Sequence, residues 1–477
     1  MSVKKINGIT KANVKKLNTI AKASVGKFNT IDAAQHAAIV STGTDSNDMN
    51  RMAVMCYDTN VNRVVIAYQS RSDNHGDSRV GEVNADGTIS WGSVQTDFDQ
   101  GGTATGIKPL CMTFNPNTNK IHLVYNIWDA DGATNYDLYQ KIGTVTGGST
   151  NTISWSPAGN LDGDDKGYMS GNGAIRAQAV YHADDTRVYM HYNRLGSGVI
   201  QSNVRFLTDD TTDPDMVQPG SDSDSQPFGT NVCQWTGIAY DSTNNKLLVA
   251  TDDNGTSKIA YGTVDSTSGS ESASWAITTI DTYSMDALQM AWDPNAEKGL
   301  LVWTDESPGH GKYQTFSISS GAVVMNTDNG DGDGSIGNFE TGGSVDSMQV
   351  CYDSSAQHFV IVYRYDSKIY AKICKFNGST TKLLWSSPSG FELNNDDPAN
   401  DDNTRLLLFP RSSDTGTDLA QTAQLGYSPS HIQVVDYPDV TPGVLVYFTK
   451  QDSNSNNATG KVIRMAALGT HYSQTAG

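Results

Sequence analysis

The sequence predicts an all-β fold, a seven-bladed β-propeller of four-stranded antiparallel blades that follows a short basic arm. Three observations favour it: an aromatic pair spaced eleven residues apart recurs along the chain, a closing segment ending in Trp recurs with it, and the repeat is roughly 50–70 residues long. Four strands in a repeat of that length are typical of propeller blades. The alternative is two stacked β-domains of three to four repeats each, although no linker separates the repeats. The pairs are Tyr57 and Tyr68, Phe114 and Tyr125, Tyr181 and Tyr192, Trp292 and Trp303, and Tyr352 and Tyr363, with Tyr240 paired to Thr251.

The first repeat shows how each element is read from the residues. Residues 52–57 and 63–68 are short apolar runs joined by a polar turn that begins at Asp58, a pattern that predicts a β-hairpin. A third strand is predicted from Arg79. A fourth is predicted at 88–91, after an Asp-Gly turn.

The seventh repeat is irregular. It offers strands at 431–435, 444–448 and 461–467 but lacks a clear fourth one. A further strand at 36–40 precedes the first repeat, and we expect it to complete the last blade, because this pairing would cover a free sheet edge. The propeller is therefore predicted to span 33–477.

Composition excludes several classes of function. The 477 residues carry a net charge of −19, whereas broad nucleic-acid binding needs a basic face. No apolar run approaches the ~18 residues of a membrane span, and the first residues lack the apolar core of a secretory signal. Five cysteines without a Cys-x-x-Cys pair favour buried core residues and folding in a reducing compartment.

The N-terminal segment differs from the rest, because residues 1–31 contain seven lysines and no acid. It repeats every eleven residues, and we predict an arm over 1–32 made of short helical turns, such as 10–15, alternating with Asn-containing turns. Two and a half copies bury little on their own, so this arm is predicted to dock on a partner; the alternative is a solvated, mobile terminus. The predicted docking residues are the apolar Ile6, Ile9, Val14, Leu17, Ile20, Val25, Phe28 and Ile31 and the lysines that open each copy, Lys5, Lys16 and Lys27.

The first copy, Lys-Ile-Asn-Gly-Ile-Thr-Lys-Ala-Asn-Val-Lys, resembles repeats near the N-termini of virion proteins of marine tailed bacteriophages, including cyanophages. The resemblance covers about 30 residues, and the second and third copies carry Asn-Thr where that motif prefers Asn-Gly. It implies a structural protein of a phage particle, anchored through the arm to other virion proteins. It does not distinguish capsid, neck and tail.

One acidic loop matches the spacing of a twelve-residue calcium loop. Oxygen-bearing side chains occupy its ligand positions, with Gly334 at position 6 and an acid at position 12. Position 1 is Asn rather than Asp and the flanks are predicted strands, so a plain acidic turn is the alternative. The candidate Ca²⁺ ligands are Asn329, Asp331, Asp333, Ser335 and Glu340.

Signals for catalysis are few. The chain contains no GxSxG, no HExxH and no Gly-rich phosphate loop. A propeller glycosidase or lyase would need paired carboxylates at the central channel, where Asp286 and Asp346 precede first strands. Neither residue forms a sequence motif, so we predict no catalytic residue and no enzymatic activity.

The function predicted from the sequence is that of a virion structural protein, as a tail fibre, neck or capsid decoration. It would be made in the host cytoplasm, lie on the virion surface as a homo-oligomer, and present its propeller to a host glycan or receptor. The alternatives are a propeller that binds or cleaves host polysaccharide and a cellular scaffold. The propeller fold itself serves both binding and catalysis and does not decide between them.

Overall fold

A computed structural model describes residues 49–385, apart from short segments, and the strand residues 5–6, 9–10, 37–38, 391–392, 404–405, 432–437, 443–451 and 456–464. The segments left out within 49–385 are 71–74, 84–88, 100–105, 129–135, 149, 162–176, 197–198, 220–224, 229–234, 254–255, 268–270, 282–284, 306–308, 328–335, 342–344, 355–356, 366–367 and 379.

The described residues form seven antiparallel sheets of four or five strands, which follow one another along the chain. Sheet 1 contains Met49–Asp58, Arg63–Ser70, Gly76–Val83, Ile89–Trp91 and Gln95–Asp99. Sheet 2 contains Gly106–Asn115, Lys120–Trp128, Tyr136–Thr146, Thr152–Trp155 and Gly159–Asn160. Sheet 3 contains Ala177–His182, Arg187–Gly196, Val199–Leu207 and Met216–Val217. Sheet 4 contains Gly237–Asp241, Lys246–Asp253, Thr256–Asp265 and Ser272–Asp281.

Sheet 5 contains Met285–Asp293, Lys298–Asp305, Gly311–Ser319, Ala322–Met325 and Gly337–Glu340. Sheet 6 contains Val345–Asp353, His358–Tyr365, Lys368–Phe376, Leu383–Trp385 and Phe391–Glu392. Sheet 7 contains Ile432–Tyr437, Gly443–Gln451 and Asn456–Arg464, with Ala37–Ala38 and Thr404–Arg405. Within each sheet from 1 to 6 the strands are called A to E in chain order; sheet 7 has A, B and C in the order just given.

The predicted all-β fold is confirmed, and so are its four-stranded antiparallel units. In sheets 1 to 6 the order A-B-C-D matches chain order, so each strand pairs with the strand before it. Sheets 1, 2, 5 and 6 add a fifth strand, E, which pairs with strand C beside D. This strand was not predicted from the sequence. The predicted start of the third strand at Arg79 was also late, because strand C of sheet 1 begins at Gly76.

The core lies between neighbouring sheets. Strand B of sheet 1, Arg63–Ser70, is buried at all eight positions, so both of its faces are covered. Separate apolar clusters join sheets 1 and 2, sheets 2 and 3, and sheets 3 and 4, and a larger one spans sheets 4 to 6. Strand A of each sheet contacts strand A of the next, and strand A of sheet 7 contacts that of sheet 1.

The N-terminal strands also pair. Ala37–Ala38 lies within the predicted 36–40 segment and pairs with strand C of sheet 7, Ala37 facing Gly460. Lys5–Ile6 and Ile9–Thr10 pair with each other. Thr10 is thus in a strand, where the sequence suggested the start of a helical turn. Among the described residues, no helix has the length and hydropathy required to cross a bilayer.

Candidate functional site

The turns between strands A and B share one construction. Asp58, Asn115, Asp241 and Asp293 each end a strand A and accept a hydrogen bond, through the side-chain oxygen, from the backbone N–H two residues on. The residue before strand B is left-handed in six sheets, with φ between 53° and 57°. The Asp and Asn residues that end strand A each follow an aromatic residue of the repeated pair, and their hydrogen bonds hold the turn backbone in place.

A groove of about 440 Å³ lies between the turns of sheets 5 and 6. Its lining includes Asp293, Asn295, Gln357, Lys375, Phe376 and Leu384. Strand A–B turns supply the first three residues, and the end of strand C and strand D of sheet 6 supply the others. Four polar side chains, those of Asp293, Asn295, Gln357 and Lys375, thus line the groove together with Phe376 and Leu384.

Asp293 supports the groove through its internal bonds. Its Oδ1 accepts hydrogen bonds from the backbone N–H groups of Asn295 (2.9 Å) and Ala296 (3.0 Å) and from the Tyr352 hydroxyl (2.7 Å). Burial, and then the bond to Asp293, raise the pKa of Tyr352. The carboxylate therefore ties the turn of sheet 5 to strand A of sheet 6.

The exposed amides are the groups that a ligand can reach. Asn295 and Gln357 are exposed, and an amide both donates and accepts hydrogen bonds. The Asn295 Nδ2 already donates one to the Tyr352 hydroxyl at 3.1 Å, so this amide is partly engaged within the protein. Gln357 has a left-handed φ of 57°, and so does Gly378, which also lines the groove.

One of the residues that line the groove, Phe376, is a packed aromatic. Phe376 is 7% exposed and lies edge-on to Phe359, with ring centroids 5.6 Å apart. The Lys298 ammonium lies 5.3 Å from the Phe376 ring centroid. The lining of the groove is thus mainly polar, with Phe376 and Leu384 as its large apolar side chains.

Glu340, the predicted twelfth-position calcium ligand, is already bonded within the protein. Its Oε2 accepts a hydrogen bond from the Tyr363 hydroxyl (2.9 Å) and lies 4.0 Å from the Lys372 ammonium. Its Oε1 accepts one from the N–H of Thr341 at 3.0 Å. Each carboxylate oxygen thus already accepts one hydrogen bond within the protein.

The other four predicted ligands, Asn329, Asp331, Asp333 and Ser335, lie outside the described residues. Within the part of the chain that the structure describes, no group of three or more His, Cys, Asp or Glu is placed to hold a metal ion. Calcium at 329–340 therefore stays a prediction.

The surroundings of Glu340 recur at Asp99. The Tyr125 hydroxyl donates a hydrogen bond to Asp99 in sheets 1 and 2, as Tyr363 does to Glu340 in sheets 5 and 6. Each acid ends a strand E and follows a phenylalanine, and its tyrosine is in strand B of the next sheet. We call these two arrangements the acid–tyrosine clamps.

Each clamp also uses a lysine and a glycine. The ammonium groups belong to Lys141 and Lys372, and burial, opposed by the neighbouring acid, lowers the pKa of both. A Cβ at Gly76 would lie 2.3 Å from the Phe98 ring, and one at Gly311 would lie 2.4 Å from the Phe339 ring. Both glycines therefore let the phenylalanine before the acid pack closely against strand C.

The two candidate channel acids, Asp286 and Asp346, lie within strand A of neighbouring sheets rather than before it. Asp286 is within strand A of sheet 5, is 5% exposed, and accepts a hydrogen bond from Trp235 Nε1 at 3.3 Å. Asp346 is in strand A of sheet 6, with its side chain outside the described residues.

His122, in strand B of sheet 2, is buried and bonds Asp209 Oδ1 through Nε2 at 2.8 Å. Burial opposes ionisation of Asp209, but hydrogen bonds from His122, Thr118 and Asn115 prevail and lower its pKa. The cluster connects the turn of sheet 2 with the segment after strand C of sheet 3.

Of the predicted docking residues, Lys5 and Ile6 are in one short strand and Ile9 is in its partner. The remaining predicted docking residues lie outside the described part of the chain, namely Val14, Lys16, Leu17, Ile20, Val25, Lys27, Phe28 and Ile31.

The sequence reasoning missed the groove and the clamps. A signal for the clamps was present, because the aromatic–acid pairs Phe98-Asp99, Phe339-Glu340 and Phe391-Glu392 recur near the ends of repeats. For the groove, the sequence contains only the recurring polar turn that follows the first aromatic residue of each eleven-residue pair.

No family model and no curated protein matches the chain. Solved structures similar to it include the K499G mutant of the NanB sialidase from Streptococcus pneumoniae, with 12% identity and a TM-score of 0.44, covering 94% of this chain and 73% of that one. The periplasmic gluconolactonase PpgL of Pseudomonas aeruginosa has 10% identity and a TM-score of 0.44, covering 83% and 92%. The α-L-arabinanase of Penicillium chrysogenum has 10% identity and a TM-score of 0.42, covering 69% and 93%.

These similarities correct one expectation. The prediction that the chain is not an enzyme is contradicted, because the proteins of similar structure include enzymes, among them a sialidase, a gluconolactonase and an arabinanase. Identities of 10–12% do not transfer an active site to this chain.

Proposed function

We propose that the seven sheets are the blades of one propeller that binds carbohydrate through the groove between sheets 5 and 6. The succession of strand A contacts, which includes sheet 7 with sheet 1, supports the propeller arrangement. Pairing of Ala37–Ala38 with strand C of sheet 7 supports closure of the last blade by the N-terminal strand.

The observation that carries the binding proposal is the chemistry of the groove. Sugars present hydroxyl groups around an apolar ring, and they bind where paired donors and acceptors surround an apolar surface. The exposed amides of Asn295 and Gln357 line the groove together with the apolar side chains of Phe376 and Leu384.

The test is isothermal titration calorimetry of the full chain with oligosaccharides prepared from host-envelope polysaccharide. Asn295→Ala and Gln357→Gly each remove one amide, and glycine keeps the left-handed backbone at 357. Loss of one hydrogen bond predicts a roughly 3- to 10-fold weaker affinity for each.

Matched controls are Asn60→Ala and Asn62→Gly, which alter exposed residues at the equivalent turn positions of sheet 1. They should leave the affinity unchanged. Equal losses in the sheet 1 variants, or no binding by the wild type, would refute the groove as the carbohydrate site. Release of reducing sugar during the same incubations would show that the bound polysaccharide is also cleaved.

A second proposal is that residues 1–32 attach the protein to a phage particle, with the propeller displayed on the virion surface. The lysine-rich repeat, unlike the acidic remainder of the chain, supports it. Changing Ile6, Ile9 and Val14 to Asp should abolish docking and leave the propeller folded. Antibody against 33–477 should label virions at regular sites in electron micrographs; protein found only in the soluble lysate would end this proposal.

A further inference from the structure

The outermost strand of sheet 4, Ser272–Asp281, is longer than the corresponding strands of the other sheets. It has ten residues, whereas strand D has two to four residues in sheets 1, 2, 3, 5 and 6. In four of those sheets the outer edge is divided between strands D and E, and a divided edge is a poor template for pairing. Sheet 4 presents one continuous edge.

The ladder behind this edge is regular. Strand D pairs with strand C without a break from Ser272 facing Asp265 to Thr279 facing Lys258, and the one register shift comes after that. Within sheet 4 as described, strand D is the terminal strand, so pairing with C uses only one of its two backbone edges. An antiparallel edge strand turns about half of its N–H and C=O groups outward, where another strand can pair with them.

The side chains do not protect the edge either. Residues 272–280 contain no charged residue and no proline, the two commonest devices that prevent edge pairing. Ile277 is 53% exposed, above the 45% of Val324 and the 37% of Val94, which are the other large hydrophobic side chains exposed among the described residues.

We propose that this edge is a self-association surface on which a second copy of the chain adds its own strand D of sheet 4, antiparallel. The argument for a second copy is charge and symmetry. Two chains of net charge −19 repel, so they can approach most closely through an uncharged segment. Pairing centred on Ile277 places this residue against its counterpart, Ala276 against Thr278 and Asp281, the one charged residue of the strand, against Ala273. No charge then lies directly opposite another, and the contact is isologous.

Sedimentation equilibrium of the full chain between about 1 and 100 µM tests the proposal. The expected result is a monomer–dimer equilibrium, with Ile277→Lys weakening dimerisation at least 10-fold, because two lysines would then meet at the symmetry axis. Val94→Lys, a similar change at an exposed residue between strands D and E of sheet 1, should leave the equilibrium unchanged.

Hydrogen exchange provides a second readout, because amides of residues 276–280 should exchange more slowly at the higher concentration. A monomer at 100 µM, or a dimer that Ile277→Lys leaves intact, would overturn the proposal. So would equal weakening by Val94→Lys, since the effect would then be one of added charge rather than of this edge.

Discussion

Replacing Tyr363 by Phe tests whether the acid–tyrosine clamp stabilises the fold. The change removes a hydroxyl that donates to the Glu340 carboxylate at 2.9 Å and leaves the fully buried ring in place. Tyr192 provides the matched control. It is the corresponding strand B tyrosine of sheet 3 and is 2% exposed, but its hydroxyl has no hydrogen-bond partner among the described residues.

The two variants should therefore differ in sign. A hydrogen bond to a charged group contributes about 1.5–3 kcal/mol, so Tyr363→Phe should lower the free energy of unfolding by about that amount. The Glu340 side chain is only 14% exposed, so water replaces the lost donor poorly. Tyr192→Phe removes a buried polar group without a partner and should be neutral or stabilising by about 1 kcal/mol.

Equilibrium unfolding in guanidinium chloride, followed by tryptophan fluorescence, measures both values. Heat is the weaker assay, because an unfolding entropy near 2 cal/mol/K per residue makes 1 kcal/mol worth only about 1 °C in a chain of 477 residues. Equal destabilisation by the two variants would refute the reasoning, since the loss would then come from the ring environment and not from the bond to Glu340.

Two further predictions concern acid and metal. Burial lowers the pKa of His191 to about 4, so the folded state favours the neutral imidazole. The unfolded state therefore binds a proton more readily, and the free energy of unfolding should fall as the pH drops from about 6.5 towards 4, by up to ~1.4 kcal/mol per pH unit. Acid titration of unfolding should show this slope, and His191→Gln should flatten it; an unchanged slope would contradict the assignment. If residues 329–340 bind calcium, a chelator should lower the denaturation midpoint and Ca²⁺ should restore it, whereas an unchanged midpoint would favour the plain acidic turn.

The sequence was sufficient for the strands whose side chains are buried on both faces. In sheets 1 to 6, strands A and B are joined by a turn with Asp, Asn or His at its start, and hydrophobic pattern and turn chemistry predict both strands. Strand C of sheet 1 begins with Gly76-Asp77-Ser78, where backbone pairing rather than an apolar run extends the strand. Strand E was missed for a related reason, because it pairs with strand C only after a break in the outer edge.

The groove could not be predicted from local pattern. Asn295 and Gln357 occupy equivalent turns, but the volume between them depends on Phe376 and Leu384, which strand pairing brings from another part of sheet 6. The loop spacing predicts Glu340 as a calcium ligand, but it does not show the hydrogen bond to Tyr363, which is 23 residues further along the chain.

The acid–tyrosine clamp at Tyr363 and the proposed carbohydrate groove at Gln357 lie at different ends of strand B of sheet 6, so mutations can separate their effects. Gln357 precedes strand B of sheet 6 at the groove, whereas Tyr363 is six residues along the chain, about 20 Å away at 3.3 Å per residue. Tyr363→Phe should therefore lower the unfolding free energy without changing carbohydrate affinity. Gln357→Gly should weaken carbohydrate affinity without changing the unfolding free energy. The double variant should show both effects additively, because sites more than about 10 Å apart with no shared partner rarely couple. Coupling between the two would mean that the groove depends on how tightly sheets 5 and 6 are held together, and the clamp would then belong to the binding site.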